Sequence, residues 1–221
     1  MIFLIMKASV FFRSLFLICL WIGVFCYKCF AEGIHLSPEN LKALPDWITK
    51  PESLQAIDEK RKILVSVTEK DHNWSFKGAG KIEVERSQII KSITDVQTYR
   101  SIELINEAHF SDSVLKLKIQ IAKREINIEL LMRPQESADS SSVDFEVKNG
   151  FLKGYKGKAL LFDLLAARRT GTFIYYQAAF HDKNHKVPGW FATILVEGIM
   201  QHMAALLREN LEQKYQAKGT R

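Results

Sequence analysis

The chain has 221 residues, 47% of them hydrophobic, with a formal charge of +6, which is apolar enough for one domain with a real core and too apolar for a disordered chain. All three cysteines, Cys19, Cys26 and Cys29, lie in the first thirty residues, so a domain formed by the rest needs no disulfide and rests on its core alone. No stripe of Lys and Arg stands out and no repeat recurs, which argues against a nucleic-acid footprint and against a solenoid or propeller.

Residues 1–31 have the order of a secretory signal. Lys7 and Arg13 precede the apolar run Ser14–Tyr27, and Lys28, Cys29, Phe30 and Ala31 follow. Cys29 and Ala31 suit the positions before the cut, so cleavage is expected after Ala31, and the protein is expected to be exported to the periplasm. Fourteen residues fall short of the roughly twenty needed to span a bilayer, which makes an uncleaved anchor the lesser alternative. Loss of Lys7, Arg13 and Lys28 leaves twenty-eight basic against twenty-five acidic residues, a net charge of +3.

Residues 32–61 carry Pro38, Pro45 and Pro51 among polar residues and read as an irregular arm with helical turns at 38–44 and 52–60. Ile63, Val65 and Val67 then alternate with Leu64, Ser66 and Thr68. A second extended run covers 74–85, so the two predict a hairpin. Ile89, Ile90, Ile93, Val96 and Tyr99 mark a helical face over 86–99, one short helix or a broken pair, with Ser87 as its N-cap. Strands follow at 102–110, 114–122, 125–133, 143–148, 158–165 and 170–180, and a long helix opens at Pro188 and runs to about residue 213. Strands, a helix, six strands and a closing helix indicate an α+β domain with an antiparallel sheet.

Four segments carry a resemblance to a known superfamily: Gly80-Lys-Ile-Glu-Val-Glu-Arg-Ser, Ile90-Lys-Ser-Ile-Thr-Asp-Val-Gln-Thr-Tyr99, Gly171-Thr-Phe-Ile-Tyr-Tyr and Val187-Pro-Gly-Trp-Phe. In this order they resemble the START-like, or SRPBCC, helix-grip proteins, which include lipid-transfer START domains, polyketide cyclases and coenzyme-Q-binding proteins. The resemblance covers 62–215 and leaves 216–221 as a tail. It implies a curved antiparallel sheet gripping the C-terminal helix, with an apolar cavity between them for a lipid, isoprenoid or quinone. A cyclase or dehydratase using the same cavity is the alternative. Where members carry a Trp or Pro shortly after the first Tyr, this chain has Arg100-Ser101-Ile102, so the following loop is expected to be shaped differently.

The ligand-binding residues expected under this resemblance are Tyr175 on the last strand and Phe191, Leu195, Ile199, His202, Met203 and Leu206 on the closing helix. Their rival reading is a filled core. Strand alternation sends Tyr175 and Tyr176 to opposite faces, and Tyr175 is assigned to the cavity. His202 lies between Phe191 and Leu195 on the helical wheel, where it could meet a ligand head group, or reach solvent as a rim residue. Arg168 and Arg169 could bind an anionic head group but read better as a solvated turn. His181 and His185 lack a third ligand, so no metal is expected, and no catalytic residue is assigned. No Gly-x-Ser-x-Gly elbow occurs, and Gly78-Ala79-Gly80 fits neither phosphate-binding pattern. The partners expected are a hydrophobic small molecule or lipid, with transient membrane contact.

Overall fold

The computed structural model describes residues 34–103, 105–121, 124–150, 153–164, 171–181 and 189–216. The expected leader therefore lies outside the described residues, as do Arg168, Arg169 and His185.

The segment expected to be an irregular arm is mostly helical: α1 (Pro38–Lys42), α2 (Asp46–Thr49) and α3 (Pro51–Asp58). Pro38 and Pro51 both begin helices, where a missing N–H loses no bond. Ser37 Oγ caps α1 by accepting from the Asn40 N–H at 3.2 Å. Leu36, Leu44, Ile48 and Ile57 are buried, the last two with no exposed surface. This segment is part of the core, and short-range spacing hid that because the prolines leave no helix long enough to show a period.

Eight strands follow: β1 (Leu64–Lys70), β2 (Asn73–Ile82), β3 (Ile105–Ser111), β4 (Val114–Ile121), β5 (Arg124–Glu136), β6 (Ser140–Gly150), β7 (Lys156–Asp163) and β8 (Thr172–His181). They form one antiparallel sheet in the order β1-β2-β8-β7-β6-β5-β4-β3. Two tight hairpins turn on Asp71-His72 (φ 52° and 64°) and Asp112-Ser113 (φ 50° and 63°), the paired positive φ that matches the twist of flanking strands. Register shifts at Ile105/Glu107 and Glu129/Leu130 are the irregularities that bend a sheet.

Between β2 and β3 run α4 (Arg86–Thr94) and α5 (Val96–Arg100), the broken pair. Asp95 is extended (φ −87°, ψ 109°) and caps α5 by accepting from the Gln97 N–H at 3.0 Å. The N-cap of α4 is Glu85, without a side-chain bond, and not Ser87. The closing helix α6 (Gly189–Gln216) has 28 residues and is about 42 Å long.

Side-chain parity sorts the sheet into two faces. On β2 and β8 the even-numbered residues Phe76, Ile174, Tyr176 and Ala178 face inward with α6, among clusters holding Met200, Leu207 and Leu211. The odd-numbered Ala79, Phe173 and Tyr175 face outward and pack under α1–α3 with Leu36, Ile48 and Ile57. The Lys81–Asp58 ion pair (2.6 Å), both side chains nearly buried, fastens α3 to the same outer face. The C-terminal half of α6 is held by polar contacts as well: Lys214 to Asp95 and Thr98 (2.6 and 2.9 Å), and the Tyr215 hydroxyl to Ser92 Oγ and the Gln88 carbonyl (2.8 and 3.2 Å). The α+β architecture of a sheet holding a terminal helix is thus the observed one.

Candidate functional site

The inward face of β2 contains two glycines, Gly78 and Gly80, on the side that α6 covers. Gly78 pairs with Tyr176 across the ladder, and the ring of Tyr176 lies over it: a Cβ at Gly78 would stand 2.1 Å from Tyr176 Cε1. A glycine inside a strand is costly in isolation. Here it lets an aromatic ring lie against the bare backbone.

Beside this ring is an apolar cavity of about 170 Å³ between β2, β8 and α6. Its walls include Ile63, Ile82, Ile174, Tyr176, Ala204 and Leu207, with Gly80 in the floor and Arg208 at the rim. A Cβ at Gly80 would meet only Ile63, at 3.5 Å, so this glycine leaves room. The Tyr176 hydroxyl points to Met200 Sδ at 3.6 Å. Burial, followed by the charges of Tyr155 and Glu197, pushes its pKa well above the usual tyrosine value, so the phenol stays neutral. Toward the hairpin end of the sheet the interior is filled by aromatic rings. Phe76 meets Tyr155 edge-on at 5.2 Å, and Tyr155 stacks with Phe145 at 5.7 Å. Those spacings are ordinary for packed aromatic pairs.

Arg208 closes the cavity on the α6 side. Its Nη1 donates to the Arg61 carbonyl at 2.6 Å, while its Nε is shut from solvent and has no hydrogen-bond partner among the described residues. Next to it, Glu212 is buried and takes an Arg61 guanidinium N–H on one oxygen and the Glu83 N–H on the other at 2.9 Å. A polar groove of about 370 Å³ runs over Lys60, Arg61, Arg208, Glu209, Glu212 and Gln213. Arg208 therefore belongs to both the apolar cavity and the charged groove.

The residues expected to bind a ligand stand differently with respect to this cavity. Tyr175 faces the arm: it is buried beside Ile48 and Phe173, and its hydroxyl reaches Gln177 at 3.3 Å. Alternation alone leaves two choices for the pair, and an outer face covered by α1–α3 accepts the odd-numbered one. The tyrosine at the cavity is Tyr176. His202 is exposed, the rim position weighed against a ligand contact. Leu206 is half-buried and is not part of the cavity wall, where Ala204 and Leu207 stand. The side chains of Phe191, Leu195, Ile199 and Met203 lie outside the described residues. Gly78 and Gly80 had a readable signal, two glycines at i and i+2 inside a strand. Arg208 had none, since an arginine on a helix reads as solvated.

A larger hollow, about 490 Å³, lies on the outer face beyond the arm, among Lys77, Arg133, Asp144, Glu146, Lys156 and Lys158. Filling it with apolar matter would strip water from six charges, so it does not suit a hydrophobic ligand. Among the described residues no cluster of His, Cys, Asp or Glu could hold a metal ion, and no helix is long and apolar enough to cross a membrane.

No protein-family model matches the chain, and no curated protein matches it by sequence. Solved structures do match. A STAR-related lipid transfer protein from Xanthomonas axonopodis superposes with a TM-score of 0.51 at 15% identity, over 67% of this chain and 92% of that one. A START superfamily protein from Mycobacterium smegmatis gives a TM-score of 0.48 at 14% identity, over 63% and 97%. Ara h 8.0201 gives 0.47 at 14%, over 64% and 97%. At this identity the likeness concerns the fold, and the first of the three carries it: the chain has the START-like helix-grip fold.

Proposed function

We propose that the protein is an exported carrier that binds a hydrophobic small molecule, of the lipid, isoprenoid or quinone kind, without covalent chemistry. The observation that carries this reading is the apolar cavity of about 170 Å³ between Gly80, Ile174 and Tyr176 on the sheet and Ala204 and Leu207 on α6. Ligand sites are concave and largely apolar with few polar groups, and this one has a neutral phenol and one arginine. It is below the roughly 300 Å³ at which pockets take whole drug-sized ligands, so it suits one ring or the end of a chain. The lipid transfer protein of like fold adds support by analogy only. Export rests on the basic, apolar and small-residue order of residues 1–31.

Native mass spectrometry of protein purified from its own host tests the carrier reading. A noncovalent hydrophobic adduct is expected on the native chain and not on the Ala204→Phe variant, whose ring would occupy the cavity. Bare protein in both cases, or an adduct indifferent to that substitution, would count against it. N-terminal sequencing of exported protein tests the leader, with Glu32 expected first.

A further inference from the structure

We infer that Asn149 and Gly150 form a self-modifying site, at which the protein converts its own asparagine to aspartate and isoaspartate through a cyclic imide. The site is independent of the apolar cavity. Of the seven asparagines in the chain, Asn149 alone precedes a glycine; leucine, tryptophan, glutamate, isoleucine or histidine follows each of the others. A side chain on the following residue obstructs its own backbone nitrogen, and glycine carries none.

The structure sets the reacting atoms side by side. The Gly150 N–H donates to Asn149 Oδ1 at 2.9 Å, so Cγ, one C=O bond of about 1.23 Å from that oxygen, is the electrophile beside the glycine nitrogen. Both residues are exposed at the end of β6, open to hydroxide and water. Gly150 has φ 90°, which glycine adopts without strain, and a Cβ there would stand 1.7 Å from the Asn127 carbonyl oxygen. The backbone that presents this nitrogen therefore requires glycine. Among the described residues nothing else bonds the Asn149 side chain, whereas Asn73 is held by Asp71 and His181, and Asn210 by Ser101. An amide pinned at both ends cannot turn toward its neighbour's nitrogen.

One water enters the reaction and one ammonia leaves. The Gly150 nitrogen gives its proton to hydroxide and bonds to Asn149 Cγ; the Cγ–Nδ2 bond breaks, and that nitrogen departs as ammonia with a proton from water. Water then opens the five-membered imide, at Cγ to leave aspartate or at the main-chain carbonyl to leave isoaspartate. Asn149 pairs with Glu129, so the new carboxylate faces another, and like charges opposite one another destabilise a strand pair. The isoaspartyl product also lengthens the main chain beside the register shift at Glu129/Leu130. Val147, on the same strand, bonds Gly154 and Tyr155 at 2.9 and 2.8 Å, so the seat of Tyr155 among the interior rings loosens as the protein ages.

The test holds the full-length protein in mildly alkaline buffer and maps its peptides by mass spectrometry. Asn149 should be lost ahead of every other asparagine, as a mixture of aspartate and isoaspartate, with one added negative charge on isoelectric focusing. The loss should quicken as hydroxide rises. Asn149→Gln, whose longer side chain must close a larger ring, should keep its charge over the same period. Survival of Asn149 while another asparagine converts overturns the assignment. Conversion confined to the urea-unfolded chain does so too, because the folded geometry then opposes the step. Aspartate without isoaspartate would mean direct hydrolysis and would remove the imide. These three outcomes are read on the native sequence, so the answer does not depend on how the variant folds.

Discussion

Gly78→Ala probes the inner face of the sheet at a single atom. The added Cβ would stand 2.1 Å from Tyr176 Cε1 and 2.9 Å from Cδ1 and Cζ. Carbon atoms rest at about 3.5–4.0 Å, so the ring would have to withdraw by about 1.4 Å or more. It would then leave Met200 and enter the space beside Ile174 and Leu207. Overpacking of this size costs about 1–3 kcal/mol, and the lower chain entropy of Ala returns about 0.5–1 kcal/mol of that. In a Tyr176→Ala background no ring is present, and the same substitution should be neutral or stabilise by under about 1 kcal/mol. Urea unfolding followed by circular dichroism on the four proteins of the cycle yields a coupling energy, expected at about 1–3 kcal/mol. If Gly78→Ala costs the same in both backgrounds, the ring does not lie over Gly78 and the account of the Tyr176 wall is wrong.

Ile48→Ala removes a fully buried side chain from the N-terminal segment and should cost about 2–5 kcal/mol in denaturant unfolding; a loose tether would lose under about 0.5 kcal/mol. Glu212→Ala strands the Glu83 N–H and should cost about 1–3 kcal/mol. Arg61→Ala leaves the buried Glu212 carboxylate without its guanidinium and should also cost about 1–3 kcal/mol, and a thermal scan compares the two. Burial raises the pKa of Tyr99, Tyr155 and Tyr176 above the usual tyrosine value of about 10, with Asp95 adding to the rise at Tyr99. A raised acid is favoured neutral in the folded state. Its contribution is therefore whole below about pH 10 and is lost as pH rises from there toward the folded values. Circular dichroism should show unfolding setting in above about pH 10, before tyrosinate absorbance is complete; full tyrosinate absorbance at native ellipticity would refute this.

Much of the fold was legible because its signals are local. The alternation in 63–68, its hairpin with the next extended run and the helical face over 86–99 each rest on spacing within a few residues, and the structure keeps them within small shifts of boundary. Which face of a strand points inward is not local. Tyr175 and Tyr176 are chemically equivalent in the chain, and only the register against β2 and β7, with α1–α3 covering the outer face, decides between them. Leu206 and Leu207 pose the same problem on a helix, where one residue is a rotation of about 100°. In the arm the helical turns at 38–44 and 52–60 were legible, but its place in the core was not, since helices of five, four and eight residues are too short to display a buried face as a period. Arg208 became visible only when its neighbours' hydrogen bonds were assigned.

Because the strand order begins at β1 and ends at β3, the sheet does not close, and each margin carries a row of backbone groups that could recruit a foreign strand. Each margin also has a helix beside it, α6 along β1 and α5 along β3. The helix that roofs the apolar cavity is thus also the guard against edge-to-edge zippering. Weakening its seat on β1 should therefore favour aggregation as well as an emptied cavity.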